Sequence, residues 1–79
     1  MARPLIWSQE ALDDIASIAG YISRDSPFYA QQVAARLFEV GNAVPHDPKL
    51  GRIVPEINDP NVRERFVYSY RVIYELRDK

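Results

Sequence analysis

The residues best suited to binding a charged partner are arginines in the second half of the chain. Arg63 and Arg65 alternate along one predicted strand, and Arg71 lies on the next predicted strand. Because strand side chains alternate between the two faces, Arg63 and Arg65 emerge on the same side. With Arg71 they give one sheet three guanidinium groups, which could bind phosphate groups or a carboxylate-rich peptide.

The same region offers structural roles for these side chains. Ion pairs with nearby carboxylates, with the arginine stems packed over the sheet, would use the charges within the fold. The carboxylates available for such pairs are Glu56, Glu64 and Glu75. Three tyrosines could stack on nucleic-acid bases, although tyrosines of a half-buried sheet more often join the core with a solvated hydroxyl. They are Tyr68, Tyr70 and Tyr74.

Motifs of general catalysis are absent from the sequence. It has no glycine-rich phosphate loop, nucleophile elbow or cluster of metal ligands. His46 is the one histidine and lies in a proline-rich loop, where we expect a surface position. Asp13 and Asp14 are adjacent, so a helix points them about 100° apart and separates their carboxylates. We therefore predict no catalytic residue, no metal site and no cofactor.

Length and composition predict a single domain over residues 1–79. The sequence is 47% hydrophobic and 27% charged, which is typical of a globular protein. Cysteine is absent, which excludes a disulfide scaffold and fits a reducing compartment. Apolar runs are far shorter than a membrane span, and the first residues lack the apolar core of a signal peptide. These features predict a soluble, cytoplasmic protein with no membrane partner.

Charge is distributed unevenly along the chain although the net charge is −1. Residues 1–48 carry three Arg against six Asp and Glu, whereas residues 49–79 carry seven Lys and Arg against five Asp and Glu. The basic half contains the predicted sheet. An acidic or nucleic-acid partner is one explanation, and a solvated charged sheet face is the other.

Two amphipathic helices are predicted in the first half. Ser8 can cap a helix that runs to about Arg24, and Ser26 with Pro27 can start a second that runs to about Val44. Apolar residues recur at helical spacing in both segments. In the first they are Leu12, Ile15, Ile18, Ala19 and Ile22, and in the second Val33, Leu37, Val40 and Val44, widened by Phe28, Ala30, Ala34 and Phe38.

Strands are predicted on both sides of this helical hairpin. Leu5–Trp7 is a short apolar run, residues 53–57 form a short extended piece, and Arg63–Val67 with Tyr70–Leu76 form a hairpin turning at residues 68–69. The order is strand, two helices, loop and strands. It predicts a two-layer α+β domain in which the helices pack on one face of an antiparallel sheet.

Short sequence pieces between residues 7 and 76 carry a resemblance to a known family. They are Trp7-Ser8, Ala11, Leu12-Asp13-Asp14-Ile15, Tyr21-Ile22, Asp25-Ser26-Pro27, Ala30, Pro48, Gly51-Arg52, Pro55-Glu56, Val62-Arg63-Glu64 and Tyr70-Arg71-Val72-Ile73-Tyr74. In their order and spacing the chain resembles the ParE/RelE toxin superfamily, on the ParE (plasmid-stabilisation) side. The family fold is a strand, two helices and an antiparallel sheet, as the periodicity predicts independently.

The resemblance implies the toxin of a type II toxin–antitoxin pair. ParE-type toxins poison DNA gyrase, whereas RelE-type toxins cut messenger RNA on the ribosome. RelE-type enzymes hold basic residues where Arg63, Arg65 and Arg71 stand, and they also use basic and tyrosine or histidine residues after the last strand. The sequence ends at Lys79 without that segment, which favours the ParE-like interpretation and implies that the last family strand is missing.

Three hypotheses follow from the resemblance. The first is a non-enzymatic, gyrase-poisoning toxin neutralised by a ParD-like antitoxin. The second is a RelE-like ribosome-dependent endoribonuclease, and the third is a degenerate, non-toxic member that still binds antitoxin. Expected target- or nucleic-acid-binding residues, together forming one polar sheet surface, are Arg52, Arg63, Arg65 and Arg71. Expected antitoxin-binding residues are Leu12, Ile15, Ala30, Val33, Leu37, Tyr70 and Tyr74.

A missing last strand would leave one edge of Tyr70–Leu76 unpaired, and unpaired edges template pairing with other chains. We therefore expect an isolated monomer to be unstable. Either Leu5–Trp7 crosses over to pair with this strand, or a strand from an antitoxin or from a second copy does so, giving a heteromeric complex or a homo-oligomer.

Overall fold

Two helices form one layer of the domain. The computed structural model describes residues 4–77, with α1 over Gln9–Ser23 and α2 over Pro27–Ala43. They pack side by side as a helical hairpin, as predicted. Neither helix has the length and apolarity that crossing a membrane requires, as far as residues 4–77 are concerned.

Side-chain caps fix where both helices begin. The Ser8 hydroxyl accepts a hydrogen bond of 3.0 Å from the Ala11 N–H, and the Ser26 hydroxyl accepts one of 3.1 Å from the Tyr29 N–H. Each cap satisfies a first-turn donor that has no partner within the helix. Pro27 opens α2, where a residue without an N–H loses nothing. Both predicted helix starts are confirmed.

A three-stranded antiparallel sheet forms the second layer. After a single 3₁₀ turn at Val44–His46, the strands are β1 (Arg52–Ile53), β2 (Val62–Val67) and β3 (Tyr70–Glu75), in the order β1-β2-β3. The predicted hairpin and its two-residue turn are confirmed, with Tyr68 in the left-handed conformation at φ 56°.

The extended piece predicted over residues 53–57 is shorter than expected. The Val54 N–H still donates to the Val62 carbonyl at 3.1 Å, but Pro55 follows and has no N–H with which to continue the ladder. The chain turns instead, since the N–H groups of Ile57 and Asn58 both donate back to the Val54 carbonyl.

The core lies between the helices and one sheet face. Its buried cluster consists of Ile15, Val33, Leu37, Val40 and Val67. The first four come from the predicted helix stripes, and the last comes from β2 next to the hairpin turn. Partly buried Tyr70 and Val72 of β3 extend the cluster across the sheet. The predicted two-layer α+β class is therefore confirmed.

The predicted first strand, Leu5–Trp7, is wrong. No strand of the described residues includes it; the segment is held by the Trp7 side chain on α2. The indole lies edge-on to the Phe38 ring, with 5.1 Å between the ring centroids, and its Nε1–H donates to Asn42 Oδ1 at 3.0 Å. Gly41 leaves the space for this ring, because a Cβ there would lie 2.5 Å from Cζ2 of Trp7. The segment is therefore held by contacts of the Trp7 side chain and not by hydrogen bonds to a neighbouring strand.

Candidate functional site

Strand register decides which arginines share a face of the sheet. Opposite residues of an antiparallel pair point to the same side. Arg63 lies opposite Tyr74 and Arg65 opposite Val72, on the inner face that the helices cover. The outer face, which carries no helix, holds Arg52, Glu64, Phe66, Arg71 and Ile73.

The expectation that the four arginines form one polar surface is therefore wrong. Arg52 and Arg71 lie on the outer face, whereas Arg63 and Arg65 lie on the inner face. The two-residue turn pairs odd-numbered residues of β2 with even-numbered residues of β3. That parity puts Arg71 on the side opposite to Arg63 and Arg65, although all three belong to one sheet.

On the outer face, a buried carboxylate ties two arginines together. The Glu64 side chain is 0% exposed, accepts a hydrogen bond from Arg52 Nε at 2.5 Å and pairs with a terminal nitrogen of Arg71 at 3.1 Å. The same Arg71 nitrogen pairs with Glu56 at 2.8 Å. Two positive and two negative side chains thus form one network with no net charge. Ion pairing within the fold, the structural alternative for these arginines, is confirmed for Arg71.

The exposed end of this network keeps both of its groups charged. A hydrogen bond from its own backbone and then one from Arg71 lower the pKa of the Glu56 carboxyl below its ordinary value of 4.5. The hydrogen bond with Glu56 in turn raises the pKa of Arg71. The pair therefore stays ionised throughout the neutral range.

Apolar side chains and one further ion pair, Glu75 with Arg77 at 2.8 Å, complete the outer face. Phe66 is 58% exposed, and the Arg52 guanidinium lies over its ring at 5.4 Å from the centroid. Ile73, on β3, is 48% exposed. The outer face is thus a mixed surface of aromatic, aliphatic and internally neutralised charged groups.

On the inner face, Arg63 is used within the fold. Its Nε donates to the Pro60 carbonyl at 2.9 Å, and one terminal nitrogen donates to the carbonyls of Gly51 at 3.0 Å and Lys49 at 3.4 Å. These contacts hold the loop before β1 against β2. A guanidinium committed to three backbone carbonyls has little capacity left for a phosphate or a carboxylate.

Tyr74, one of the expected antitoxin-binding residues, holds the same loop. Its hydroxyl donates to the Pro48 carbonyl at 2.7 Å and accepts from the Gly51 N–H at 3.1 Å. A Cβ at position 51 would lie 2.6 Å from both this hydroxyl and the Glu64 carbonyl oxygen, so the close approach requires glycine.

Arg65 differs from the other three arginines. Its side chain has no hydrogen bond or ion pair with any of residues 4–77, and the residue is half-buried. Its Cγ would lie 3.1 Å from a Cβ built at Gly51, so the stem runs along the loop that Arg63 and Tyr74 hold. Of the four expected target contacts, Arg65 has the most available charge.

Most of the expected antitoxin-binding residues lie in the core. Ile15, Ala30, Val33 and Leu37 are buried, so they support the fold and offer no surface. The sequence pattern could not separate core from groove, because both require the same apolar stripe. Leu12 and Tyr70 are half-buried and keep some accessible surface.

Aromatic residues near the helical turn are exposed, which the sequence did not indicate. Tyr21 is 72% exposed, Phe28 70% and Tyr29 48%. Phe28 was expected to widen the α2 stripe, but it stands five residues before Val33, off the i, i+3, i+4 spacing. That spacing was the available signal for its exposure.

The histidine and the adjacent aspartates of the sequence do not form a catalytic or metal-binding cluster. His46 is exposed in the 3₁₀ turn, and the Asp13 carboxylate accepts a hydrogen bond from Gln9 at 2.9 Å. Within residues 4–77, no three histidines, aspartates or glutamates converge in a way that could hold a metal ion.

Comparison with known proteins identifies the family. Residues 5–79 match the family described as ParE toxin of type II toxin-antitoxin system, parDE. The chain is also 35% identical over 49 residues to Toxin RelE2 of Caulobacter vibrioides, which covers 62% of this chain and 56% of that protein. The alignment thus spans little more than half of that relative. No solved structure matches. Since the family match covers nearly the whole chain and the two-layer α+β fold agrees with it, the chain belongs to the ParE toxin family of type II toxin–antitoxin systems.

Proposed function

We propose that the chain is the toxin of a type II toxin–antitoxin module, that it poisons DNA gyrase without catalysing a reaction itself, and that a ParD-like antitoxin neutralises it. The family match supports the toxin class and a protein antitoxin. Gyrase as target implies a cytoplasmic site of action.

The observation that carries the non-enzymatic proposal is the neutralisation of the outer sheet face. Binding RNA phosphates needs uncompensated positive charge, but Arg52 and Arg71 are balanced by Glu64 and Glu56. Cleaving RNA also needs an acid and a base within reach of the scissile phosphate. Over residues 4–77, the outer face offers neither a histidine nor a tyrosine for this purpose.

Similarity to Toxin RelE2 favours a second candidate, the ribosome-dependent endoribonuclease. In that case Arg65 would contact the RNA backbone from the inner-face side of the sheet, with Arg63 beside it. The internal hydrogen bonds of Arg63 count against this role. The third candidate, a non-toxic member that retains antitoxin binding, predicts inactivity towards both targets.

The antitoxin surface proposed here is smaller than the apolar stripes suggest. Leu12 on α1 and Tyr70 on β3 remain candidates, because both are half-buried. The exposed aromatics Tyr21, Phe28 and Tyr29 are further candidates near the helical turn, since aromatic residues are enriched in protein interfaces.

One purified sample tested in two assays separates the candidates. The 79-residue chain is added to gyrase with relaxed plasmid, and to translating ribosomes with a defined messenger. We expect loss of supercoiling with accumulation of cleaved plasmid, and an intact messenger. Messenger cleavage with normal supercoiling would select the RelE-like alternative. Inactivity in both assays, with retained binding of the protein encoded beside the gene, would select the non-toxic one.

Arg65→Ala tests whether the arginine without an internal partner, among the four expected target contacts, contacts the target. We expect a weaker effect on gyrase and at most a small loss of stability, because only packing of the stem is lost and no hydrogen bond or ion pair with residues 4–77. Arg24→Ala is the matched control, since Arg24 is an exposed arginine at the end of α1, away from the sheet. Equal activity of both variants would remove Arg65 from the target surface.

A further inference from the structure

One tyrosine hydroxyl fastens the loop before β1. The Leu50 N–H donates to the Asp47 carbonyl at 3.1 Å and closes a turn. The Tyr74 hydroxyl bridges the same turn, since it donates to the Pro48 carbonyl at 2.7 Å and accepts from the Gly51 N–H at 3.1 Å. The one proton of this hydroxyl is therefore committed within the fold.

Gly51 is held by side chains at both of its backbone polar groups. The Tyr74 hydroxyl accepts from its N–H, and a terminal nitrogen of Arg63 donates to its carbonyl at 3.0 Å. The glycine is buried. Without the Tyr74 hydroxyl its N–H would lose this acceptor, and a buried donor without an acceptor is costly enough to displace the backbone. The position of Gly51 thus depends on the Tyr74 hydroxyl.

The stem of Arg65 lies against this glycine. A Cβ built at Gly51 would be 3.1 Å from Cγ of Arg65, so the stem passes closely over a residue that has no side chain. Arg65 and Tyr74 both belong to the inner face of the sheet. A chain of contacts therefore runs from the Tyr74 hydroxyl through Gly51 to the stem of Arg65.

We propose that Tyr74 is a positioning residue for Arg65, and that its hydroxyl acts by holding Gly51 against the arginine stem. The inference rests on the proposed function, in which Arg65 contacts the target. An arginine loses rotamer freedom when a partner immobilises it, and a stem that is already held in place loses less. The Tyr74 hydroxyl thus strengthens target binding without touching the target.

Direct contact of Tyr74 with the target is the alternative to positioning. The residue is half-buried, and its hydroxyl already meets two backbone groups at 2.7 and 3.1 Å. To donate to a target, the hydroxyl would have to leave the Pro48 carbonyl. The geometry therefore favours an action through Gly51.

A double-mutant cycle in the gyrase assay separates positioning from other roles of Tyr74. Tyr74→Phe removes the hydroxyl and keeps the ring. We expect the protein concentration that half-inhibits supercoiling to rise about three- to tenfold, the effect of immobilising one further flexible side chain on binding. In an Arg65→Ala background the same change should have no effect, because no arginine is left to position. An equal rise in both backgrounds would overturn the inference.

Ser26→Ala is the matched control for lost stability. It also removes a hydrogen-bonding hydroxyl, but at the start of α2, whose 17 residues place it roughly 25 Å from the end that leads into the loop. We compare equal concentrations of folded protein, measured by circular dichroism, and expect no change for Ser26→Ala. A rise equal to that of Tyr74→Phe would assign the effect to stability and overturn the inference. If Tyr74→Phe does not fold, Arg63→Lys takes its place in the cycle, because it loosens the other polar group of Gly51.

Carbon relaxation of Arg65 tests the same contact without gyrase. We expect the order parameter of the Arg65 Cγ to fall in Tyr74→Phe and to stay unchanged in Ser26→Ala, because only the first change frees Gly51. If it falls but the unaltered protein leaves gyrase active, the gyrase target is refuted and the hold of Tyr74 on Arg65 is supported. An unchanged order parameter in Tyr74→Phe would overturn the inference whatever the gyrase assay shows.

Discussion

Arg71→Ala should destabilise the fold, contrary to the neutral outcome that an exposed ion pair would give. Exposed pairs contribute roughly 0–1 kcal/mol. Arg71 has a second partner, however, because it pairs at 3.1 Å with Glu64, whose side chain is 0% exposed. Removing it deprives a buried carboxylate of one of its two guanidinium partners.

The magnitude follows from what remains around Glu64. Removing the only partner of a buried charge costs about 3–5 kcal/mol. Arg52 stays in place at 2.5 Å, so the loss is closer to one charge-assisted hydrogen bond, about 1.5–3 kcal/mol. A domain below about 80 residues rarely exceeds roughly 3–5 kcal/mol of stability. The variant would therefore lose about half of its free energy of unfolding, and reduced toxicity of this variant would not identify a target contact.

Urea unfolding followed by circular dichroism measures the loss. Arg36→Ala is the control, because Arg36 pairs with Glu39 on the exposed side of α2 and both side chains are more than half exposed. We also expect Arg71→Ala to cost less in a Glu64→Gln background, where the buried group is neutral. Equal costs for Arg71→Ala and Arg36→Ala, or an unchanged cost in the Glu64→Gln background, would refute the assignment to Glu64.

Further substitutions test the core, the Trp7 contact and the dependence of stability on acid pH. Leu37→Ala should cost about 2–5 kcal/mol in urea unfolding, since Leu37 is 3% exposed, and a smaller loss would contradict its burial. Gly41→Ala should destabilise by about 1–3 kcal/mol and change the fluorescence of the single tryptophan, because the new Cβ displaces the Trp7 indole; Gly20→Ala, with nothing within 4 Å, should be neutral or stabilising. The pKa of Glu56 is lowered in the folded state, so its contribution is present above pH 4.5 and is lost as the pH falls through the folded pKa. Glu56→Gln should therefore lower the urea midpoint near neutral pH and leave it unchanged in strong acid; a pH-independent difference would exclude the carboxylate as the cause.

Local signals predicted most of the fold. Ser8 and Ser26 are caps followed by helical apolar spacing, and both helices begin where these residues indicate. The hairpin was evident because β-branched and aromatic residues flank a two-residue turn, which also fixes its register. These features depend on residues that are close together in the sequence, so a single sequence is enough to predict them.

Features that depend on distant contacts were missed. Leu5–Trp7 has strand composition, but the Trp7 side chain finds its partners at Phe38, Gly41 and Asn42, more than thirty residues away. The four arginines have different surroundings. Arg63 donates to backbone carbonyls, Arg52 and Arg71 both pair with Glu64, and Arg65 does neither. The residue type shows only that a side chain is charged. The groups that neutralise the charge depend on the strand register and on the loop before β1.

The contacts of Trp7 explain why Leu5–Trp7 is not a strand in the described part of the chain. A segment of three apolar residues could have covered the β3 edge by backbone pairing, but its indole is engaged on α2 through ring contact and a hydrogen bond to Asn42. Moving the segment to β3 would break those contacts before any ladder hydrogen bonds formed. The contacts of Trp7 with Phe38 and Asn42 therefore hold residues 5–7 on α2 and away from strand pairing.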